Sequence, residues 1–167
     1  MSISSRNPRP GTFDVAALYA ALDETRRARD LTWTAAAREI GVSPSTLTGL
    51  RGRTSVEGDG VLQMLRWLER APEAFTVGSH ASRGGTLPSV GPGEVLRFDA
   101  AAIYRALDAQ RDARQWTWPK LAAAIGGVSP SMLTHLANGG RVSMPSIVRI
   151  IGWLGRPVAD FTRASQR

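Results

Sequence analysis

Two hydroxyl-rich stretches stand 86 residues apart in this chain: Ser43-Pro44-Ser45-Thr46-Leu47-Thr48 and Ser129-Pro130-Ser131-Met132-Leu133-Thr134-His135. Their chemistry is hydrogen bonding rather than bond-making. A hydroxyl donates once and accepts twice, so a row of them suits a surface of mixed donors and acceptors. Arg51, Arg53, Lys120 and Arg141 lie close by in sequence and add positive charge. A catalytic constellation is missing. There is no cysteine, there are two histidines (His80 and His135), and no glycine loop ends in Lys-Ser or Lys-Thr to cradle a phosphate. No spacing suits a metal, and no carboxylates cluster. The expectation is a binding protein without cofactor or metal, not an enzyme.

These stretches need elements to hold them. Each opens the second of two short helices. Thr32 and Thr117 suit the N-cap of the first helix, and Ser43 and Ser129 suit the N-cap of the second. Pro44 and Pro130 then fall in the first turn, where a missing amide hydrogen costs nothing. Gly41 and Gly126 stand where the first helix must stop, because glycine reaches left-handed backbone cheaply. Ala37 and Ile40 face Leu47 and Leu50 in an apolar seam at helical spacing. Helix, glycine turn and capped second helix form a helix-turn-helix signature.

The signature belongs to a longer duplication. Phe13 to Thr76 aligns with Phe98 to Thr162 after one insertion, Gly127, with 29 identities in 64 positions. Each copy reads as five helices. The first carries Val15, Leu18, Tyr19 and Leu22, repeated as Ala100, Ile103, Tyr104 and Leu107. The fourth carries Val61, Met64, Leu65 and Leu68, repeated as Ile147, Ile150, Ile151 and Leu154, and a short fifth ends at Phe75 or Phe161. The stripes, with Trp67 and Trp153, read as core. Residues 77–97 hold five Gly, two Pro and three Ser among 21 residues, the composition of a flexible linker. Residues 1–12 read as a flexible arm carrying Arg6 and Arg9, and residues 163–167 as a basic tail. The predicted fold is therefore all-α: domains over 13–76 and 98–162, joined by the linker 77–97.

The net charge is +7. The first copy contributes about −1 and the second about +3; the arm, linker and tail hold the rest. A basic surplus favours a polyanionic partner, here through the second copy and the flexible parts. No run of about 18 apolar residues is present to span a membrane, and the N-terminus lacks the apolar core of a secretory signal. A cytoplasmic protein is expected.

The run over residues 28 to 48, with Leu31-Thr32-Trp33 and Ile40-Gly41-Val42-Ser43-Pro44-Ser45-Thr46-Leu47-Thr48, resembles the Cro/CI (lambda-repressor-like, XRE-type) DNA-binding domains. The second copy resembles the same family through Gly126-Gly127-Val128-Ser129-Pro130-Ser131-Met132-Leu133-Thr134. The resemblance implies five-helix domains that insert the second motif helix into the major groove. By position, Ser43, Pro44, Ser45, Thr46 and Thr48 then line the outer face of that recognition helix, as do Ser129, Pro130, Ser131, Met132, Thr134 and His135. Hydroxyls there would meet bases or phosphates, and the Met132 thioether a thymine methyl. Gly49 stands opposite His135 in the alignment and offers no side chain. The family commonly has Gln gripping a phosphate where this chain has Trp33 and Trp118. An indole N–H suits a phosphate, and the ring equally suits packing between helices. Asn138 matches a position that contacts the DNA backbone, replaced by Gly52 in the first copy. Arg51 and Arg53, after the first recognition helix, and Lys120 and Arg141, beside the second, are the cations placed to hold phosphates.

Two function classes follow. One is a sequence-specific regulator of transcription that binds double-stranded DNA through two tandem helix-turn-helix domains. The other is a protein-interaction module in which one domain, the acidic first one foremost, binds a protein partner. A 21-residue flexible linker would average about 25 Å and reach about 70 Å, while adjacent half-sites lie about 34 Å apart. One chain on two half-sites as an intrachain pseudo-dimer, two domains packed together, and a homodimer with swapped domains all fit that reach.

Overall fold

The computed structural model describes residues 11–77 and 86–167, and the two copies lay out their elements in the same order. The first copy runs β1 (Thr12–Phe13), α1 (Val15–Ala28), α2 (Trp33–Ile40), α3 (Pro44–Thr48), α4 (Gly58–Leu68), a 3₁₀ turn (Pro72–Phe75) and β2 (Thr76–Val77). The second runs β3 (Glu94–Phe98), α5 (Ala100–Ala113), α6 (Trp118–Ile125), α7 (Pro130–His135), α8 (Met144–Leu154), a 3₁₀ turn (Val158–Phe161) and β4 (Thr162–Gln166). A further 3₁₀ turn, Leu136–Asn138, extends α7. The fold is mainly α-helical, with two small antiparallel sheets.

Helices begin where the sequence supplies acceptors. Asp14 and Asp99 cap α1 and α5 through the Ala17 and Ala102 amides, each at 3.0 Å. Thr32, Thr117, Ser43 and Ser129 all accept a first-turn amide as expected. Ser143 caps α8 by backbone conformation alone, and its hydroxyl bonds Ser146 instead. The apolar stripes are core: Leu18, Leu22, Leu47, Leu50, Met64 and Leu65 are buried in one cluster, and Leu107, Leu121, Leu133, Ile150 and Ile151 in another. The fifth helix of each copy is the 3₁₀ turn that seats Phe75 or Phe161.

The all-α expectation missed the sheets, and the expected linker and tail need correction. Residues 94–97, assigned to the flexible linker, begin β3, which pairs antiparallel with β4. The supposed basic tail is most of β4. A Gly/Pro/Ser count over 21 residues averaged away the apolar Val95-Leu96 at its end, and Leu96 is fully buried. Leu87, also in the expected linker, packs against the first core. The two sheets have equivalent registers, Phe13 opposite Thr76 and Phe98 opposite Thr162. The arm with Arg6 and Arg9, and linker residues 78–85 with His80 and Arg83, lie outside the described residues.

The copies do not hang from a tether; they pack together. Met144 N–H donates to the Val56 carbonyl at 2.7 Å and Gly58 N–H donates to the Val142 carbonyl at 3.0 Å. Between these bonds Glu57 and Ser143 form an antiparallel bridge. Val56, Glu57 and Gly58 are the repeat equivalents of Val142, Ser143 and Met144, so the bonds are exchanged by a local two-fold. The flanking packing obeys the same relation: β3 lies on α4, β1 lies on α8, and α4 meets α8. Gln63 donates to the Leu96 carbonyl at 2.6 Å, and Asp59 accepts from the Phe98 amide at 2.9 Å. Met144 and Val148 of the second copy are buried in the first core. The separation of α3 from α7 is therefore set by this interface, not by linker length.

Candidate nucleic-acid interface

In each copy the glycine turn ends one helix and the capped serine starts the next. Gly41 has φ +89° and closes α2 with its amide on the Ala37 carbonyl. In the second copy Gly126 and the inserted Gly127 both take positive φ, at +77° and +71°. Arg149 donates to the Gly126 carbonyl at 3.3 Å and its guanidinium fills the space beside Gly127. The first copy has a different brace: Nη2 of Arg167, at the end of β4, lies 2.6 Å from where a Cβ on Gly41 would stand. The C-terminus of the second copy thus supports the turn of the first.

Trp33 and Trp118 are packing residues. Trp33 stacks on Tyr19 with ring centroids 5.5 Å apart, and Trp118 on Tyr104 at 5.3 Å. The guanidiniums of Arg26 and Arg111 cover the same indoles at 4.7 and 5.1 Å. Each arginine also bonds Asp23 or Asp108 and the carbonyl of Leu31 or Trp116. These side-chain layers clamp the first helix of each copy to the second. Of the two roles open to the tryptophans, helix packing is the one the geometry supplies.

The second helices of the two motifs, α3 and α7, turn Leu47 and Leu133 inward, both fully buried. Ser43, Ser45, Thr46 and Thr48 are exposed, as are Ser129, Ser131 and His135; Met132 and Thr134 are half-buried. Pro44 is exposed and Pro130 half-buried. The hydroxyls steady one another: Ser43 Oγ lies 2.7 Å from Thr46 Oγ1 and 3.1 Å from Ser45 Oγ, while Ser129 and Ser131 lie 3.2 Å apart. Thr48 and Thr134 spend their protons on the Pro44 and Ser131 carbonyls, leaving acceptor capacity outward. Beside α7 a shallow groove of about 320 Å³ is lined by Ser129, Ser131, Met132, His135 and Arg141.

The cations around these helices make no ion pair among the described residues. Arg51, Arg53, Lys120 and Arg141 are exposed, and none has a carboxylate within 4 Å among the described residues. Lys120 rests its ammonium 5.3 Å from the Trp116 ring. Asn138 is exposed at the end of the 3₁₀ turn after α7, and Gly52 at the matching place has φ +77°.

A contact that position in the sequence does not reveal joins α3 to the loop after it. The Arg53 guanidinium lies over Gly49, with Cζ and Nη2 each 3.7 Å from where a Cβ on Gly49 would stand. The vacancy at the end of α3 is covered by an arginine four residues on from Gly49. The signal was in the alignment: Gly49 matches His135, and Arg53 matches Gly139. Each copy has one glycine and one basic side chain at these two positions, in opposite order.

Comparison with protein-family models, with curated proteins and with solved structures finds no match.

Proposed function

We propose that the chain is a cytoplasmic, sequence-specific regulator of transcription that binds double-stranded DNA as an intrachain pseudo-dimer. In this reading each copy is a lambda-repressor-like domain of five helical elements, and α3 and α7 are the recognition helices. The observation that carries it is the local two-fold at Glu57 and Ser143, which relates two capped helix-turn-helix units. Paired half-sites on a duplex are related by the same kind of axis. Supporting it, both recognition helices present exposed hydroxyls, and they are flanked by cations that make no ion pair among the described residues. Phosphate contacts by Arg51, Lys120 and Arg141 would position the protein, and side chains on the helix faces would read bases.

The test is a gel-shift titration of the full chain against salt, followed by selection of bound duplexes from a random library. Counterion release makes DNA affinity fall steeply as salt rises. The expected selection result is two spaced motifs that differ from each other, because the two faces differ. Salt-insensitive association, with no duplex enriched, would replace this reading with that of a protein-interaction module.

A further inference from the structure

We propose that Arg53 is the base-reading residue of the first copy and that it reads guanine in one half-site, an assignment that rests on the DNA-binding reading above. A recognition helix without a large polar side chain on its outer face has little to discriminate bases with, and α3 offers only short hydroxyls and Gly49. The Arg53 guanidinium sits beside Gly49, at the end of that helix, with Cζ and Nη2 each 3.7 Å from where a Cβ would stand. It is exposed and has no ion-pair partner among the described residues, so its donors are available. A planar guanidinium presents two parallel donors to guanine O6 and N7, the commonest specific contact in the major groove.

The repeat supplies an independent argument. In the second copy His135 occupies the face and Gly139, matching Arg53, is bare. In the first copy the face residue is Gly49, and the loop residue supplies the side chain. A Cβ at position 49 would come within 2.7 Å of the Ser45 carbonyl oxygen, so the first helix end closes tightly and leaves the face to Arg53. Had Arg53 been a plain loop arginine, nothing would link its presence to the missing side chain at 49. The two half-sites then differ in what reads them: a guanidinium in one, an imidazole in the other.

The experiment selects duplexes from a random library with the full chain and with Arg53→Ala and His135→Ala, and measures the salt dependence of each. Arg53→Ala should lower the preference for guanine at one base pair of one half-site by about 5- to 150-fold and leave the other half-site unchanged. His135→Ala should leave that guanine preference intact. An even loss of affinity across sequences, with a salt slope smaller by about one, would mean that Arg53 holds a phosphate and would overturn this assignment alone. Unchanged selection by Arg53→Ala would also overturn it. If the parent chain enriches no duplex, the DNA-binding reading falls and the assignment with it.

Discussion

Glu57 and Ser143 face each other in an antiparallel bridge, and they occupy the same position in the two copies of the repeat. Pairing between equivalent residues is how a symmetric dimer makes an isologous contact. Here one chain makes it with itself. The surfaces are no longer identical: Met144 enters the first core, while its equivalent Gly58 leaves room for Phe98 and Ile147.

Gly58 is therefore the position at which to test the packing of the copies. It is buried, and an added Cβ would stand 2.6 Å from Ile147 Cδ1 and 2.9 Å from the Phe98 ring. Gly58→Ala should destabilise the full chain by about 1–3 kcal/mol through overpacking. Urea denaturation measures this. An unchanged midpoint would mean that the copies are not held together at this bridge.

Leu47 lies on α3 and is fully buried. Leu47→Ala should cost about 2–5 kcal/mol through lost burial and a cavity. The measurement belongs on the full chain, because Met144 and Val148 complete the core that contains Leu47. A midpoint equal to the parent's would show that α3 does not seat this side chain.

Acid should weaken the fold through two carboxylates. The hydrogen bond from Arg26 holds Asp23 below its ordinary pKa of 3.8, with the charges of Arg27 and Arg26 acting the same way. Glu39 is held below its ordinary 4.5, first by the Trp67 indole, which donates to it at 2.9 Å, and then by Arg29. A carboxyl whose folded pKa is lowered contributes stability that is full above the unfolded value and fades as pH falls through the folded one. The urea midpoint should thus hold at about pH 6 and decline below about pH 4. Glu39→Gln, which keeps an acceptor for Trp67 but no charge, should make that decline shallower. A decline as steep as the parent's would exclude Glu39 as a contributor.

The helices and cores were legible because capping and burial are local. Thr32, Ser43 and Ser129 announce helix starts by their own hydroxyls, and Leu18 and Leu22 announce a buried face by spacing. What joins the copies was not legible. Val56 and Val142 contribute backbone carbonyls, which carry no residue signature, and Leu96 ends a short apolar pair in a Gly/Pro-rich segment. The fate of Trp33 was left open by its type alone, and Tyr19 and Arg26, which decide it, lie on another helix. At the candidate site the hydroxyl faces were readable from position. The placement of Arg53 over Gly49 needed three-dimensional proximity, since a loop arginine five residues past a helix can point anywhere.

Substitutions in the second copy can separate reading from holding. Ser131 and His135 are exposed, four residues apart on α7, and both line the groove shared with Arg141. Lys120 stands on α6, with its ammonium over the Trp116 ring and no carboxylate within 4 Å among the described residues. If the groove face meets base edges, Ser131→Ala and His135→Ala should each relax preference at one base pair, at a cost of about 1–3 kcal/mol for the preferred site. Lys120→Ala should weaken all sequences about equally and reduce the salt slope by about one, because a phosphate contact carries no base information. Competition binding of each variant against a site library provides the comparison. Should Lys120→Ala alter the preferred sequence while the two α7 variants retain it, the docking face has been assigned to the wrong side of the helix pair. The partner would then approach along α6, over Trp116 and Lys120, instead of along α7.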